Sequence, residues 1–410
     1  MFKTYFTQPN DTFEIIARKE YGDELEAGRI ASANPGVIEP MTAGLFINIP
    51  PIPEAATNQA QKAAGEVNEV SILIEGIRYR FWAEVRITRA IDNIDTVEFS
   101  APSNFESKTF RKTFQPFDYK TVNINVSGKV LFTGTMVSVV PVLANDEKTL
   151  QIACYSLPGI LNDCTPPASD YPLEFIRQTL KEIAVKLCKP FGIGVLFHVE
   201  PGAKFKQEAM ATGTTVLSFL TKLAKERNII ISSTPKGQLL FQQSIPAGKP
   251  VAKFRQGESP LFSVTPLFNA QAYFSHITGI ESTTTGSHGS QFTVKNPRLN
   301  GVNRPHTFSI KSAEGGEIKQ TVEAKAGRMF GNMVSYAVNV PTWLDPKGEL
   351  WQPNTTVTLH AHDAMIYSDY EFIIRNVEFA RDSSGEIATL NLVLPGSFEG
   401  KQPGSLPWDA

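Results

Sequence analysis

The chain has 410 residues, 41% of them hydrophobic and 20% charged, with a formal net charge of −2. This composition excludes a disordered chain and a helical membrane protein, and the near-neutral charge without basic runs argues against nucleic-acid binding. Its length calls for more than one domain, since single cores rarely grow beyond about 250–300 residues, while Cys154, Cys164 and Cys188 are too few for a disulfide framework.

Residues 1–50 read as a strand, two short helices and a returning strand. Asp11 and Thr12 can cap a helix whose apolar face is Phe13, Ile16 and Ala17, with Glu14 in its first turn. Tyr21-Gly22 and Asn34-Pro35-Gly36 supply the two stops, and Phe46, Ile47 and Ile49 form the closing strand before Pro50-Pro51. No basic segment followed by an apolar stretch opens the chain, so no secretory signal is expected. Residues 51–66 are rich in Ala, Gln and Pro without an apolar face, as a linker would be.

Strand signals dominate residues 67–164. Ile72, Ile74, Tyr79, Phe81, Ala83, Val85 and Ile87 alternate with polar residues, and Val122, Ile124 and Val126 do so again before a Ser127-Gly128-Lys129 turn. Such period-two alternation predicts an antiparallel barrel or sandwich. In residues 165–245 the period changes. Leu173, Ile176, Leu180, Ile183 and Leu187 predict one amphipathic helix entered through Asp170 and Pro172, and Val216, Leu217, Leu220, Leu223 and Ala224 predict a second. With strands at Val195 to Val199, Ile229 to Ile231 and Leu239 to Phe241, this stretch is a small α/β unit.

Residues 246–400 return to β, with one helix predicted from Ile318 to Met329, and residues 401–410 form a tail. An internal repeat emerges here. Thr121 to Val126 echoes Thr356 to Ala361, Val130-Leu131-Phe132 echoes Tyr370-Glu371-Phe372, Met136 to Val139 echoes Asn376 to Phe379, and Leu150-Gln151-Ile152 echoes Leu390-Asn391-Leu392. Two copies of so long a unit are a duplication, not a solenoid.

Chemical signatures are sparse. His360 and His362 are two apart on a predicted strand, opposite the apolar Val357, Leu359 and Ala361. They read as the polar face of that strand, since two histidines fall short of the three protein ligands of an open zinc site. Gly286 to Ser290 lacks a nucleophile elbow and reads as a hairpin tip, and Phe191-Gly192-Ile193-Gly194 reads as a helix stop. No catalytic residue, metal site or cofactor is expected.

The order of the elements carries two resemblances. The first fifty residues resemble the LysM module, in particular the LysM-like tail protein X of contractile phages. That likeness implies a shallow groove between Asn10, Asp11 and Thr12 on one side and Gly36, Val37 and Ile38 on the other, serving peptidoglycan or a protein neighbour. From Glu69 onward the chain resembles the baseplate hub proteins of contractile phages, the Mu-like or late control protein D family. The likeness lies in Tyr155 to Cys164, the helix–strand–helix stretch, Leu392 to Phe398 and the Pro407-Trp408 tail. It implies a mainly β fold with α+β parts: two tail-tube-like β-barrel domains with a small α/β insert, preceded by a βααβ LysM-like domain. It also implies a homotrimer in the virion baseplate, assembled in the host cytoplasm, that joins a sixfold tail tube to a threefold central spike and passes DNA. Wedge proteins and the tape measure protein would be neighbours, with no membrane partner. Two alternatives stay open: the hub of a headless contractile device (a tailocin), and a LysM-targeted peptidoglycan hydrolase.

Overall fold

The computed structural model describes residues 3–21, 27–34, 37, 39–50, 69–143, 148–244, 249–282, 289–299, 301–311, 317–398 and 405–409. In the N-terminal module, β1 (Lys3–Phe6) pairs antiparallel with β2 (Phe46–Ile49) beside helices α1 (Phe13–Tyr21) and α2 (Ala27–Ala33). Phe13, Ile16, Ala17, Ile30, Ile47 and Ile49 make its small core. The Thr12 hydroxyl accepts the Ile15 N–H at 3.2 Å, the capping bond its position promises.

The first β body comprises β3 (Val70–Ile74), β4 (Ile77–Tyr79), β5 (Glu84–Ala90), β6 (Thr96–Pro102), β7 (Thr121–Val126), β8 (Lys129–Leu143) and β9 (Lys148–Ser156). The even alternation from Tyr79 to Ile87 is thus cut into two strands. A short helix that no periodicity announced, α3 (Lys108–Thr113), starts where the Ser107 hydroxyl accepts the Phe110 N–H. It sets Phe114 against Tyr79 and Phe110 against Phe114 at the end of the core.

The middle unit holds α4 (Ile160–Asp163), β10 (Glu174–Gln178), α5 (Leu180–Cys188), β11 (Val195–Phe197), β12 (Phe205–Ala209), α6 (Val216–Glu226), β13 (Ile230–Ser233) and β14 (Leu239–Gln242). Here one expectation fails. The helix expected from Leu173 begins only at Leu180, and Glu174–Gln178 is a strand paired with β12. The reason is local. Thr179 and Glu182 form a capping box that fixes the helix start, while Leu173 and Phe175 bury at period two and Ile176 stays 59% exposed. Gly192, with φ +67°, ends the turn after α5 in the left-handed conformation, as a helix stop requires.

The second body contains β15 (Ala252–Arg255), β16 (Ser263–Phe268), β17 (His276–Ser282), β18 (Gln291–Lys295), β19 (Pro305–Lys311), helix α7 (Glu317–Gly331), β20 (Val334–Val340), β21 (Thr356–Ala361), β22 (Ile366–Asp382) and β23 (Gly385–Val393). Strands β17, β18 and β19 form their own three-stranded sheet, which shares a separate core with α7 through Ile277, Ile310, Val322 and Ala326. Sequence alternation had merged this unit with the body around it.

The repeat reappears as topology. The first body runs β5-β6-β9-β8-β7-β3 and the second runs β16-β20-β23-β22-β21-β15, strand for strand in the same order. Bulges match too: the β8–β9 ladder shifts between Met136 and Ser138, the β22–β23 ladder between Ile374 and Asn376. Even an irregular bond recurs, the Ala83 N–H to Ser100 O at 2.8 Å and the Phe262 N–H to Asn339 O at 2.9 Å. Thr121 to Ile124 corresponds to Thr356 to Leu359, as the sequence echo had it. For the following hairpin the ladders place Met136 on Ile374, two residues from the sequence echo, a slip that leaves each side chain on its original face. One strand departs from the rule. The first body's β3 is antiparallel to β7, whereas β15 is parallel to β21.

The two bodies share one continuous 13-stranded sheet. Its joint is β22 against β5, antiparallel from Asn376–Ala90 to Arg381–Val85.

Candidate functional site

Three parts of the chain meet at this joint. Between β5 and β22, Ile87 lies opposite Phe379, Arg89 opposite Val377 and Val85 opposite Arg381, and the four apolar side chains of this row are fully buried. Arg89 continues the same inward row. Its Nε donates to Asp95 Oδ2 at 3.2 Å and its Nη1 to Gln352 Oε1 at 2.9 Å in the second body. The Asp95 N–H donates to Ser233 Oγ at 2.9 Å in the middle unit. At the rim, Arg375 reaches Asp92 at 2.9 Å, the Ile91 N–H donates to Arg375 O at 2.9 Å, and Asn354 Nδ2 donates to Gln243 O at 3.1 Å. Ile91, Ile230, Ile373, Val393 and Phe398, drawn from all three parts, form a small core beside them. Burial pushes the Asp95 carboxyl up to about 6, while Arg89 and the Ala90 N–H pull it the other way. A buried pair of this kind fixes geometry more than it adds stability. The arrangement is mechanical: it holds one body at a fixed angle to the other.

Sequence reading had missed Arg89 and Asp95. A signal was present, because Arg89 follows Val85 and Ile87 on the inward row and Asp95 precedes Val97 and Phe99 on theirs. A charge in phase with a buried row needs a partner.

Of the residues suggested for the module's groove, Asn10 takes a left-handed turn with φ +66° and its N–H donates to Met41 O. The Asp11 carboxylate is turned inward, accepting from Tyr5 Oη at 3.0 Å, the Gln8 N–H at 2.7 Å and Lys19 Nζ at 2.9 Å. Burial alone would raise this carboxyl, but the Gln8 N–H, Lys19 and Tyr5 outweigh it and hold it below the ordinary carboxylate value. Thr12 caps α1, and the Val37 N–H points to Asn34 O at 3.4 Å. Gly36 and Ile38 lie outside the described residues. A different surface of the module is apolar: the Phe6 and Phe46 rings, 52% and 74% exposed, meet edge to face at 5.0 Å.

His360 and His362 do not share a strand face, because β21 ends at Ala361 and His362 opens a short turn. His360 lies 3.6 Å from Asp369, which also bonds Lys253, and His362 lies 3.7 Å from Asp363. Among the described residues no group of three potential ligands gathers for a metal. Replacing both histidines by alanine is expected to change stability by no more than about ±0.5 kcal/mol, read by chemical denaturation. A stoichiometric metal in the parent, lost from the double variant, would contradict this. His288 lies outside the described residues.

Residues 158–243, which span most of the middle unit, match the family described as baseplate hub protein gp44-like, second domain. Baseplate hub protein gp44 of Escherichia phage Mu is 22% identical over 311 residues, covering 72% of this chain and 79% of that protein. This chain resembles the gp44-like baseplate hubs. The fold agrees with solved tail proteins. The 43 kDa tail protein of prophage MuSo2 from Shewanella oneidensis superposes with a TM-score of 0.67 at 23% identity, covering 80% of this chain and 99% of that one. A tail protein from Neisseria meningitidis MC58 gives 0.70 at 19% identity, covering 82% and 99%. The matched proteins are named for the phage baseplate hub and the phage tail. No described helix is long and apolar enough to cross a membrane.

Proposed function

We propose that this chain is the central hub of a contractile phage baseplate, three copies of which form a ring that matches a sixfold tail tube on one face and a threefold spike on the other. The observation that carries the reading is the repeated strand order, joined side by side through β22 and β5 into one sheet. Two like bodies per chain let a threefold assembly offer six similar positions, which a mismatch between threefold and sixfold rings demands. The Arg89–Asp95 pair and the contacts around it hold the bodies at one angle, so the ring geometry is built into each chain. DNA would pass along its axis. Size-exclusion chromatography with light scattering, on the chain alone and with its spike, is expected to give three copies. A strict monomer in both, or an even-numbered ring, contradicts the reading.

The N-terminal module serves, in this reading, to dock neighbouring baseplate or tube proteins. The exposed Phe6–Phe46 pair supports it, as aromatic pairs anchor protein interfaces. Deleting Met1 to Ala60 is expected to leave the trimer intact and to weaken incorporation of the surrounding baseplate. Retention of the full chain on insoluble peptidoglycan, lost on that deletion while particles assemble normally, would make the module a wall anchor instead.

A further inference from the structure

A cavity of about 870 Å³ opens between α6 of the middle unit and α7 of the second body, with Asp92 at the rim of the joint on its border. Leu217 and Phe308 contribute apolar surface to it, and Lys222, Lys225, Lys325 and Arg328 set four cations around it. Two carboxylates also line it, and neither is free to balance that charge. Asp92 bonds Arg375 at 2.9 Å, and Glu226 has a partner of its own.

Of the cations, Lys222 reaches Glu208 at 3.6 Å. Among the described residues, Lys225, Lys325 and Arg328 have no acidic partner. Lys325 Nζ lies 3.8 Å from the centroid of the Phe308 ring, and Arg328 Nη2 reaches the Lys225 carbonyl at 3.5 Å. That carbonyl already accepts the Asn228 N–H at 3.3 Å, so it engages the guanidinium weakly. Burial pushes the Lys325 ammonium below its ordinary value, and the neighbouring Arg328 lowers it further. Arg328 itself is pushed down to about 10 by burial, with no carboxylate drawing it back. Like charges held together and half-buried are costly unless a counter-charge reaches them.

We propose that this cavity binds a small multivalent oxyanion, a polyphosphate or a polycarboxylate, gripped by Lys325 and Arg328 of α7 and by Lys225 of α6. The chemistry common to both ligand types is a group of anionic oxygens close together. A guanidinium fork takes two such oxygens at once, and an ammonium adds a point charge. The volume far exceeds that of a lone inorganic anion and falls within the range of about 300–1,000 Å³ usual for small-molecule sites. Leu217 and Phe308 offer contact for the carbon part of the ligand. Because the cations come from both helices, a bound anion ties the middle unit to the unit that α7 makes with β17 to β19. The Thr321 Oγ1 bond to Glu226 O, at 3.3 Å, already spans the same gap. The site lies within one chain and does not depend on the ring.

The test is isothermal titration calorimetry of the full chain with pyrophosphate and with citrate, at constant ionic strength so that general screening is held fixed. At least one is expected to bind at a single site per chain and to raise the melting temperature. Lys325→Met and Arg328→Met are each expected to weaken that binding about tenfold or more. Lys319→Met, on the same helix but outside the cavity lining and well exposed, is expected to leave it unchanged. Without anion, Arg328→Met should melt no lower than the parent, because it removes a charge that lacks a carboxylate. If that variant does not fold, Lys325→Met decides the binding question by itself. Binding of pyrophosphate alone assigns a phosphate ligand and of citrate alone a carboxylate one, and either bears the site out. No binding of either anion overturns it, as does binding that the two cavity variants weaken no more than Lys319→Met does.

Discussion

Arg89→Ala is expected to destabilise the protein by about 3–5 kcal/mol. The side chains of Arg89 and Asp95 are 9% and 2% exposed, so the substitution leaves Asp95 buried without its counter-charge and Gln352 without its donor. Loss of a surface ion pair would cost only about 0–1 kcal/mol. The pH dependence separates this cause from loss of packing. Asp95 has a folded pKa of about 6 against an ordinary 3.8, so it favours the folded state fully below the unfolded value, and that contribution is lost as pH rises through about 6. Removing Arg89 takes away the opposing charge and pushes the carboxyl further up. The gap between variant and parent should therefore widen from about pH 4 to about pH 8 in parallel denaturation curves. An equal gap at both ends would mean that Arg89 acts through its shape alone. Because Arg89 also ties the first body to the second through Gln352, the variant should also form trimers less readily at a temperature where it remains folded.

Trp343→Ala should cost about as much, about 3–5 kcal/mol, by a different route. The indole is fully buried, packs edge to face on Phe379 at 5.3 Å, and its Nε1–H is shared between Ala380 O at 3.2 Å and Ile387 O at 3.1 Å. It thus clamps β22 to β23 at the point where β22 also pairs with β5. Removing it opens a cavity and strips one donor from two carbonyls. Trp343→Phe keeps much of the packing and loses the donor, so it should cost about 1–3 kcal/mol. Chemical denaturation followed by circular dichroism would read both. If the two variants cost the same, the hydrogen bonds and not the cavity dominate.

Much of the architecture was legible because strands buried on one face must alternate, and they do in β3, β6, β7, β9 and β20. Alternation also exposed the duplication, and the match of Thr121 to Thr356 is in the register the ladders use. What alternation cannot carry is register along a hairpin, since a slip of two residues keeps every side chain on its face; hence the two-residue error in the second hairpin. Nor could spacing alone decide Leu173 to Gln178, where apolar residues fit either period. The capping box at Thr179 and pairing with Phe205–Ala209 settled that stretch as a strand.

By itself the sequence determined that this is a mainly β protein, built on a doubled strand plan with a capped helical unit between the copies, because those features follow from local periodicity, caps and turn residues. Only the tertiary structure decided that the copies share one sheet, that β17 to β19 form a unit apart, and that Arg89 and Asp95 lie at the joint between bodies. Those depend on which strand edges meet and on the distant partners, Gln352 and Ser233, that the fold brings to Arg89 and Asp95, and such partners lie far away in sequence, at a distance that no local pattern encodes.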